Sequence, residues 1–248
     1  MEIPILYEDD NYILFNKPAG LVVHPDGKSD EPTLVDWLLK NRPDMKDVGE
    51  PLVLKSGESI PRPGIVHRLD KETSGVMVVA KNQKAFEDLK AKFQNREVEK
   101  KYHAFVYGIL PEEDDTINRP IGRSKKDFRM WSAQRGARGE MREAITNYRV
   151  MEKFGDNAAS AISFVEAEPK TGRTHQIRVH FKAIHHPVVS DALYAPNHAQ
   201  MLGFKRHALH AYNLSFKGID GKKVGATAPY PEDFENAIKT LKNGQGTA

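Results

Sequence analysis

Apolar and polar positions alternate over Ile3–Tyr7 and again over Tyr12–Asn16, with the polar run Glu8–Asn11 between them. This pattern predicts a β-hairpin, closed by the tight turn Lys17-Pro18-Ala19-Gly20. Thr33–Lys40, TLVDWLLK, has helical spacing, whereas residues 41 to 63 hold Pro43, Gly49, Pro51, Gly57, Pro61 and Pro63 and read as loop. Val76–Ala80, VMVVA, is an unbroken apolar run of the kind that forms a buried strand. Ala85, Phe86, Leu89 and Phe93 recur at helical spacing as far as Arg96, and Tyr102–Gly108 returns to alternation. Two extended stretches, Arg142–Phe154 and Ala159–Glu168, flank the turn residues Gly155-Asp156-Asn157. Thr174–Ile184 reads as a helix with Ile177, Phe181 and Ile184 on its apolar face and Thr174 as its cap, so that Thr174 and Arg178 share one side. A late strand over 209–216 and a helix over Pro231–Leu241 follow, and Gly244 onward reads as frayed.

Strands outnumber helices, and hairpins outnumber crossover units. The fold class is therefore α+β, with a mixed, mostly antiparallel sheet flanked by helices. No linker, repeat or low-complexity tract divides the chain, which predicts one domain over 1–242, made of two subdomains sharing one sheet, and a flexible tail over 243–248.

Composition narrows the chemistry. The absence of cysteine among 248 residues removes disulfides, thiolate nucleophiles and cysteine metal sites, and points to a reducing, cytoplasmic setting. No apolar run reaches membrane-spanning length, and the acidic, alternating N-terminus lacks the pattern of a signal peptide. The formal charge of +3 conceals an uneven distribution, since residues 1–60 hold 12 acidic and 6 basic side chains. The densest basic stretch, Gly122–Arg142, carries seven Lys or Arg with Phe128 and Trp131 interleaved. Cations for phosphates and flat rings for bases suit RNA, although a solvated hairpin explains the same pattern.

The chain has no GxSxG elbow, no phosphate loop, no GxGxxG and no HExxH. His175, His180, His185 and His186 fall on different sides of a helix and its exit, so no metal site is expected there. The informative segment is Gly64–Gly75, GIVHRLDKETSG, a turn-rich loop ahead of the apolar strand. Such a loop can aim one carboxylate, Asp70, from a rigid base.

Four ordered blocks resemble the RluA family of RNA pseudouridine synthases: NKPAGLVVHP at Asn16–Pro25, RPGIVHRLDKETSGVMVVAKN at Arg62–Asn82, EKKYHAFVYG at Glu99–Gly108 and TGRTHQIRVH at Thr171–His180. The resemblance covers nearly the whole chain. It implies the pseudouridine synthase fold with a catalytic cleft, and an isomerase that turns specific uridines of structured RNA into pseudouridine without cofactor or metal. By position it makes Asp70 the essential carboxylate, Arg178 its partner and Tyr102 the residue that meets the target base. It also implies that Arg68 enters the RNA stack when the nucleotide flips, that Ile177 forms an apolar wall under the base, and that His67 shapes the substrate loop. Lys17 reads as structural or phosphate-facing. Arg135 and Arg138, in the basic segment, are expected to hold RNA in place of the N-terminal RNA-binding domain that many relatives carry.

Ribosomal RNA is favoured over transfer RNA as substrate, and a monomer is expected. A noncatalytic RNA chaperone or assembly factor on the same fold, and a glycosidase-like enzyme acting on a free nucleoside, are the alternatives. Whether Asp70 attacks the sugar or removes one of its protons stays open. The chain departs from the family at HHPVVSDALY, His185–Tyr194, where Ser190 replaces a glycine, which puts that turn in doubt but is not expected to touch Asp70, Tyr102 or Arg178.

Overall fold

The computed structural model describes residues 2–25, 30–53, 57, 59–134, 137–155 and 161–243. In chain order the first half contains β1 (Ile5–Glu8), β2 (Tyr12–Lys17), α1 (Leu34–Asn41), a 3-10 turn (Pro43–Met45), β3 (Leu52–Val53), β4 (Ser59–Ile60), β5 (Ser74–Ala80), α2 (Gln83–Gln94) and β6 (Glu99–Tyr107). There follow β7 (Asp114–Asn118), β8 (Ile121–Arg123), β9 (Trp131–Ser132), β10 (Arg138–Arg142), β11 (Ile145–Phe154), β12 (Ile162–Pro169), α3 (Gln176–Ala183), β13 (Leu209–Lys217), β14 (Lys223–Thr227) and α4 (Glu232–Lys242). The chain divides into two compact units, the first formed by Met1–Glu99 with Ala211–Pro229 and the second by Lys100–His210 with Tyr230–Ala248.

In the first unit β2 lies between β1 and β5, antiparallel to both, in a register that sets Tyr12 opposite Ala80 and Lys17 opposite Gly75. All seven residues of β5 are buried, which explains why its sequence does not alternate. The apolar side of α2, Ala85, Phe86 and Leu89, is buried, and the helix packs against β5. Both helices start as local rules require. Thr33 and Asp36 form a reciprocal capping box on α1, and Asn82 caps α2 through the Ala85 amide. The strand after the Asp70 loop thus rests on a fully packed layer, in which each buried Leu, Val or Phe contributes about 1.5–3 kcal/mol of transfer free energy.

In the second unit β6, β12, β11 and β7 pair antiparallel in that order. Phe105, Phe164, Phe204 and Phe234 form the centre of its core, joined by Ile177 and Phe181 from α3 and by Ala237 and Leu241 from α4. Phe105 and Phe164 stack with centroids 4.6 Å apart.

Two expectations change. The helix expected to begin at Thr174 begins at Gln176, and its N-cap is His175 in the left-handed region at φ 56°, with no side-chain cap. The loop expected over residues 41–63 contains the Pro43–Met45 turn and the short pair β3–β4.

Candidate active site

In the first unit the Asp70 loop is fixed by its backbone. Gly64 has φ +65°, and a Cβ there would stand 2.0 Å from the Ala80 carbonyl oxygen. Gly75 has φ +114°, and a Cβ there would stand 2.2 Å from the carbonyl oxygen of Ala211. Both ends of GIVHRLDKETSG therefore need glycine because backbone passes directly over them. Ile65 and Leu69 bury their side chains between these ends, and the Thr73 amide closes a turn onto the Asp70 carbonyl at 3.1 Å. Asp70 is left half-buried and Arg68 exposed.

The KPAG turn clamps the next residue. Lys17 is fully buried, and its ammonium donates to the carbonyls of Pro18 (2.8 Å), Leu21 (2.9 Å) and Lys71 (3.0 Å). The Gly20 amide donates to that same Lys71 oxygen at 2.9 Å. Of the two readings of Lys17, the structure assigns the structural one. His67 also works inward: its Nε2 accepts from the Val78 amide at 3.1 Å, and its ring stacks on Phe93 at 4.6 Å. That acceptor role places the ring proton on Nδ1. His67 thus ties the loop to β5 and α2.

In the second unit Tyr102 lies on β6 opposite Ala167, half-buried against the main core. Ile177 is buried in that core. Arg178 is 6 % exposed and forms a two-pronged pair with Asp191, Nε to Oδ2 at 2.6 Å and Nη2 to Oδ1 at 2.8 Å. The same Oδ1 accepts from the Leu193 and Tyr194 amides, both at 3.0 Å. Burial pushes the Asp191 carboxyl up, but the Arg178 hydrogen bonds and charge, with His207 and the Tyr194 amide, outweigh it and hold the group below the usual carboxylate range. The Arg178 guanidinium also lies over the Tyr194 ring, 5.0 Å from its centroid.

Asp191 follows Ser190 directly, and Ser190 keeps φ +56° although it carries a side chain. The departure from the family pattern is thus adjacent in the chain to Asp191, the residue that holds Arg178. Sequence reasoning missed Asp191 and also Gln176. The Gln176 amide oxygen accepts from Thr171 Oγ1 (2.6 Å) and the Arg173 amide (3.0 Å), while its nitrogen donates to the Ile145 carbonyl (2.9 Å) and Thr146 Oγ1 (3.0 Å). This one side chain organises the entry to α3 in place of a Thr174 cap. The signal for Asp191 was the SD pair itself, a short acidic residue in a turn, one turn of chain before the aromatic Tyr194.

The basic segment forms a small antiparallel sheet, with β8 between β9 and β10. Ile121, Ala144, Val179 and Tyr194 make its own core, with Met130, Trp131, Ala133 and Leu193 packed on it. The Trp131 amide donates to the Tyr194 hydroxyl at 3.0 Å, and His175 Nδ1 lies 2.9 Å from that hydroxyl. Arg123 covers the Trp131 ring at 4.3 Å, Arg138 is exposed opposite Arg123, and Phe128 is 84 % exposed. Arg135 lies outside the described residues. Among the described residues no three of His, Cys, Asp and Glu are grouped to hold a metal, and no helix is long and apolar enough to cross a membrane.

A family model described as RNA pseudouridylate synthase matches residues 11–183. An uncharacterised RNA pseudouridine synthase of Bacillus subtilis is 40 % identical over 246 residues, covering 98 % of this chain and 75 % of that protein. A ribosomal large subunit pseudouridine synthase D of Xanthomonas campestris is 38 % identical over 256 residues, covering 98 % and 71 %. Among solved structures, human RNA pseudouridylate synthase domain containing 1 superposes with a TM-score of 0.71 at 25 % identity, covering all of this chain and 97 % of that one.

Proposed function

Since the chain belongs to the RNA pseudouridylate synthase family, we propose that it isomerises uridines of ribosomal RNA in the cytoplasm, with Asp70 as the essential carboxylate. The observation that carries the role of Asp70 is its mounting: a half-buried carboxylate on a loop whose next carbonyl is held by both Lys17 and Gly20. The preference for ribosomal RNA is supported by the name of the Xanthomonas relative.

The reaction breaks the glycosidic C1′–N1 bond, turns the uracil, joins C1′ to C5 and releases the C5 proton, while the freed N1 takes up a proton. Reactant and product contain the same atoms. A carboxylate serves this in two ways, by attacking C1′ as a nucleophile or by taking a ribose proton to open an elimination route. In our reading Arg178 keeps the carboxylate ionised and aimed. Asp191 holds two of the guanidinium's five donors, which fixes the plane of the rest. Tyr102 presents a ring to the uracil and a phenol for proton transfer. Base flipping costs a few kcal/mol of unstacking, and the exposed Arg68 recovers part of it by entering the stack. Arg138, Arg123 and Phe128 supply charge and a stacking surface for flanking RNA.

Release of tritium from RNA labelled at uridine C5 tests the reading, because isomerisation must expel that label and binding cannot. Large-subunit ribosomal RNA is expected to release it and transfer RNA is not. Asp70→Asn should abolish release and retain RNA binding; an Asp70→Asn variant with normal turnover would refute the assigned role.

A further inference from the structure

Among the described residues only three side-chain atoms are buried without a hydrogen-bond partner: His24 Nδ1, Arg62 Nε and Ser190 Oγ. Two of the three belong to one cluster in the first unit. His24 ends the segment Leu21–Val23, which is pinned to the start of α1 by the amides of Leu34 and Val35. Arg62 enters the Asp70 loop through a turn closed by the Ile65 amide on its carbonyl, 3.2 Å. Arg68 lies in the loop itself, with Nη1 3.5 Å from His24 Nε2.

The chemistry of the three groups points one way. A guanidinium only donates, so the His24 nitrogen facing Arg68 must be the acceptor, and the proton sits on Nδ1. Burial, then the charges of Arg68 and Arg62, lowers the His24 pKa to about 4, which agrees with a neutral ring at pH 7. His24 Nδ1–H and Arg62 Nε–H are therefore donors without acceptors, beside a third, cationic donor. The carboxylate felt by Arg62 is Glu50, which is bonded to Lys90 at 2.6 Å. Burial, and then Arg68, lowers the Arg62 pKa as well. Two orphaned N–H groups, on His24 and on an Arg62 that feels the charge of Arg68, are costly in isolation and are relieved together by an acceptor-only anion with several oxygens.

We propose that His24 and Arg62, with the charge of Arg68 beside His24, form a phosphodiester-binding subsite in the first unit, which takes one backbone phosphate of the RNA substrate. The proposal rests on the reading of this chain as an enzyme acting on RNA. It gives the VVHP end of the first sequence block and the leading arginine of the second a common task, which the catalytic set leaves unassigned. One phosphate held here fixes the strand on which the target nucleotide turns.

The test is a scan of neutral methylphosphonate linkages through a ribosomal RNA fragment, with equilibrium binding measured on wild type, Arg62→Gln and His24→Gln. Wild type is expected to lose about tenfold in affinity at one linkage, the size of one charge-assisted hydrogen-bond set. Both variants should lose about tenfold on unmodified RNA and nothing further at that linkage. Arg62→Gln should also reduce the slope of log affinity against log salt by about 0.7–0.9, one phosphate's share. Arg62→Lys, which keeps the charge, should recover most of the slope, and unchanged melting curves separate these effects from misfolding. Equal sensitivity of wild type and both variants at every linkage would overturn the proposal. So would competition by inorganic phosphate that is lost in Arg62→Gln without any linkage-specific effect, because the cluster would then take free phosphate and not RNA. Tritium release by wild type is read on the same fragment: its absence refutes the enzymatic reading, while the linkage scan still decides the subsite.

Discussion

Replacing Asp191 by asparagine removes one charge from a pair whose side chains are 7 % and 0 % exposed, and it sets an amide N–H group against a guanidinium. Breaking a buried pair from one side costs about 3–5 kcal/mol, because the remaining charge keeps its desolvation penalty. Asparagine retains the volume and one oxygen able to accept from the Leu193 and Tyr194 amides, and the Tyr194 ring still covers Arg178. The cost therefore falls near the lower bound, about 3 kcal/mol, or about 6–12 °C in melting temperature for a chain of this size. On the proposed role of Arg178, activity should fall further than stability alone explains, since an Arg178 released from its fork loses its fixed orientation.

Urea titration and tritium release on one preparation read both effects. The pH dependence supplies a third readout. The Asp191 carboxyl lies below its unfolded value of about 3.9, so the stabilisation is complete above that value and is lost as pH falls through the folded one. Wild type should lose stability below about pH 4, and Asp191→Asn should lack that portion of the loss. A variant with the wild-type urea midpoint and wild-type turnover would show that Arg178 does not depend on Asp191, and the reasoning would fail.

Ser190→Gly should stabilise the protein by about 1 kcal/mol in urea titration: it relieves a φ of +56° and removes a buried hydroxyl without a partner, against a smaller entropic cost in the unfolded chain. A destabilised variant would mean that the hydroxyl holds the turn. Arg138→Gln and Phe128→Ala should each raise the RNA dissociation constant several-fold with no change in melting temperature, because both side chains are exposed, and only Arg138→Gln should flatten the salt dependence. Unchanged affinity for both at low salt would remove the small basic sheet from the RNA-binding surface.

The parts of this site that were legible in the sequence are those whose constraint is local. GIVHRLDKETSG reads as a turn-rich loop from its own residues, and β5 is written as an unbroken apolar run because it is buried throughout. The parts that were not legible are those whose constraint comes from a distant residue. Gln176 bonds to Ile145 and Thr146, about thirty residues earlier, and nothing in a helix-start rule ranks glutamine above threonine there. Asp191 looked like a turn residue because its partner, Arg178, lies across a helix and a loop. The strands β8–β10 are two to five residues long and rich in arginine, so they showed charge where a longer strand shows alternation.

The two groups proposed for the chemistry, Asp70 and Arg178, are supported by the same physical device. Lys17 is a buried ammonium satisfied by three carbonyls, and Arg178 is a buried guanidinium gripped by a carboxylate that is itself held by two amides. A buried charge is costly unless every donor is well placed, so any displacement of the surrounding backbone is resisted by the loss of those bonds. That resistance is what the reaction asks for. In the proposed reading the Asp70 carboxylate must keep its place against the ribose, as nucleophile or as base, while the uracil leaves, turns and returns, and a loop free to follow the departing base would lose the second bond-forming step. The Lys71 carbonyl, fixed by Lys17 and Gly20 together, keeps the peptide next to Asp70 in place through that interval.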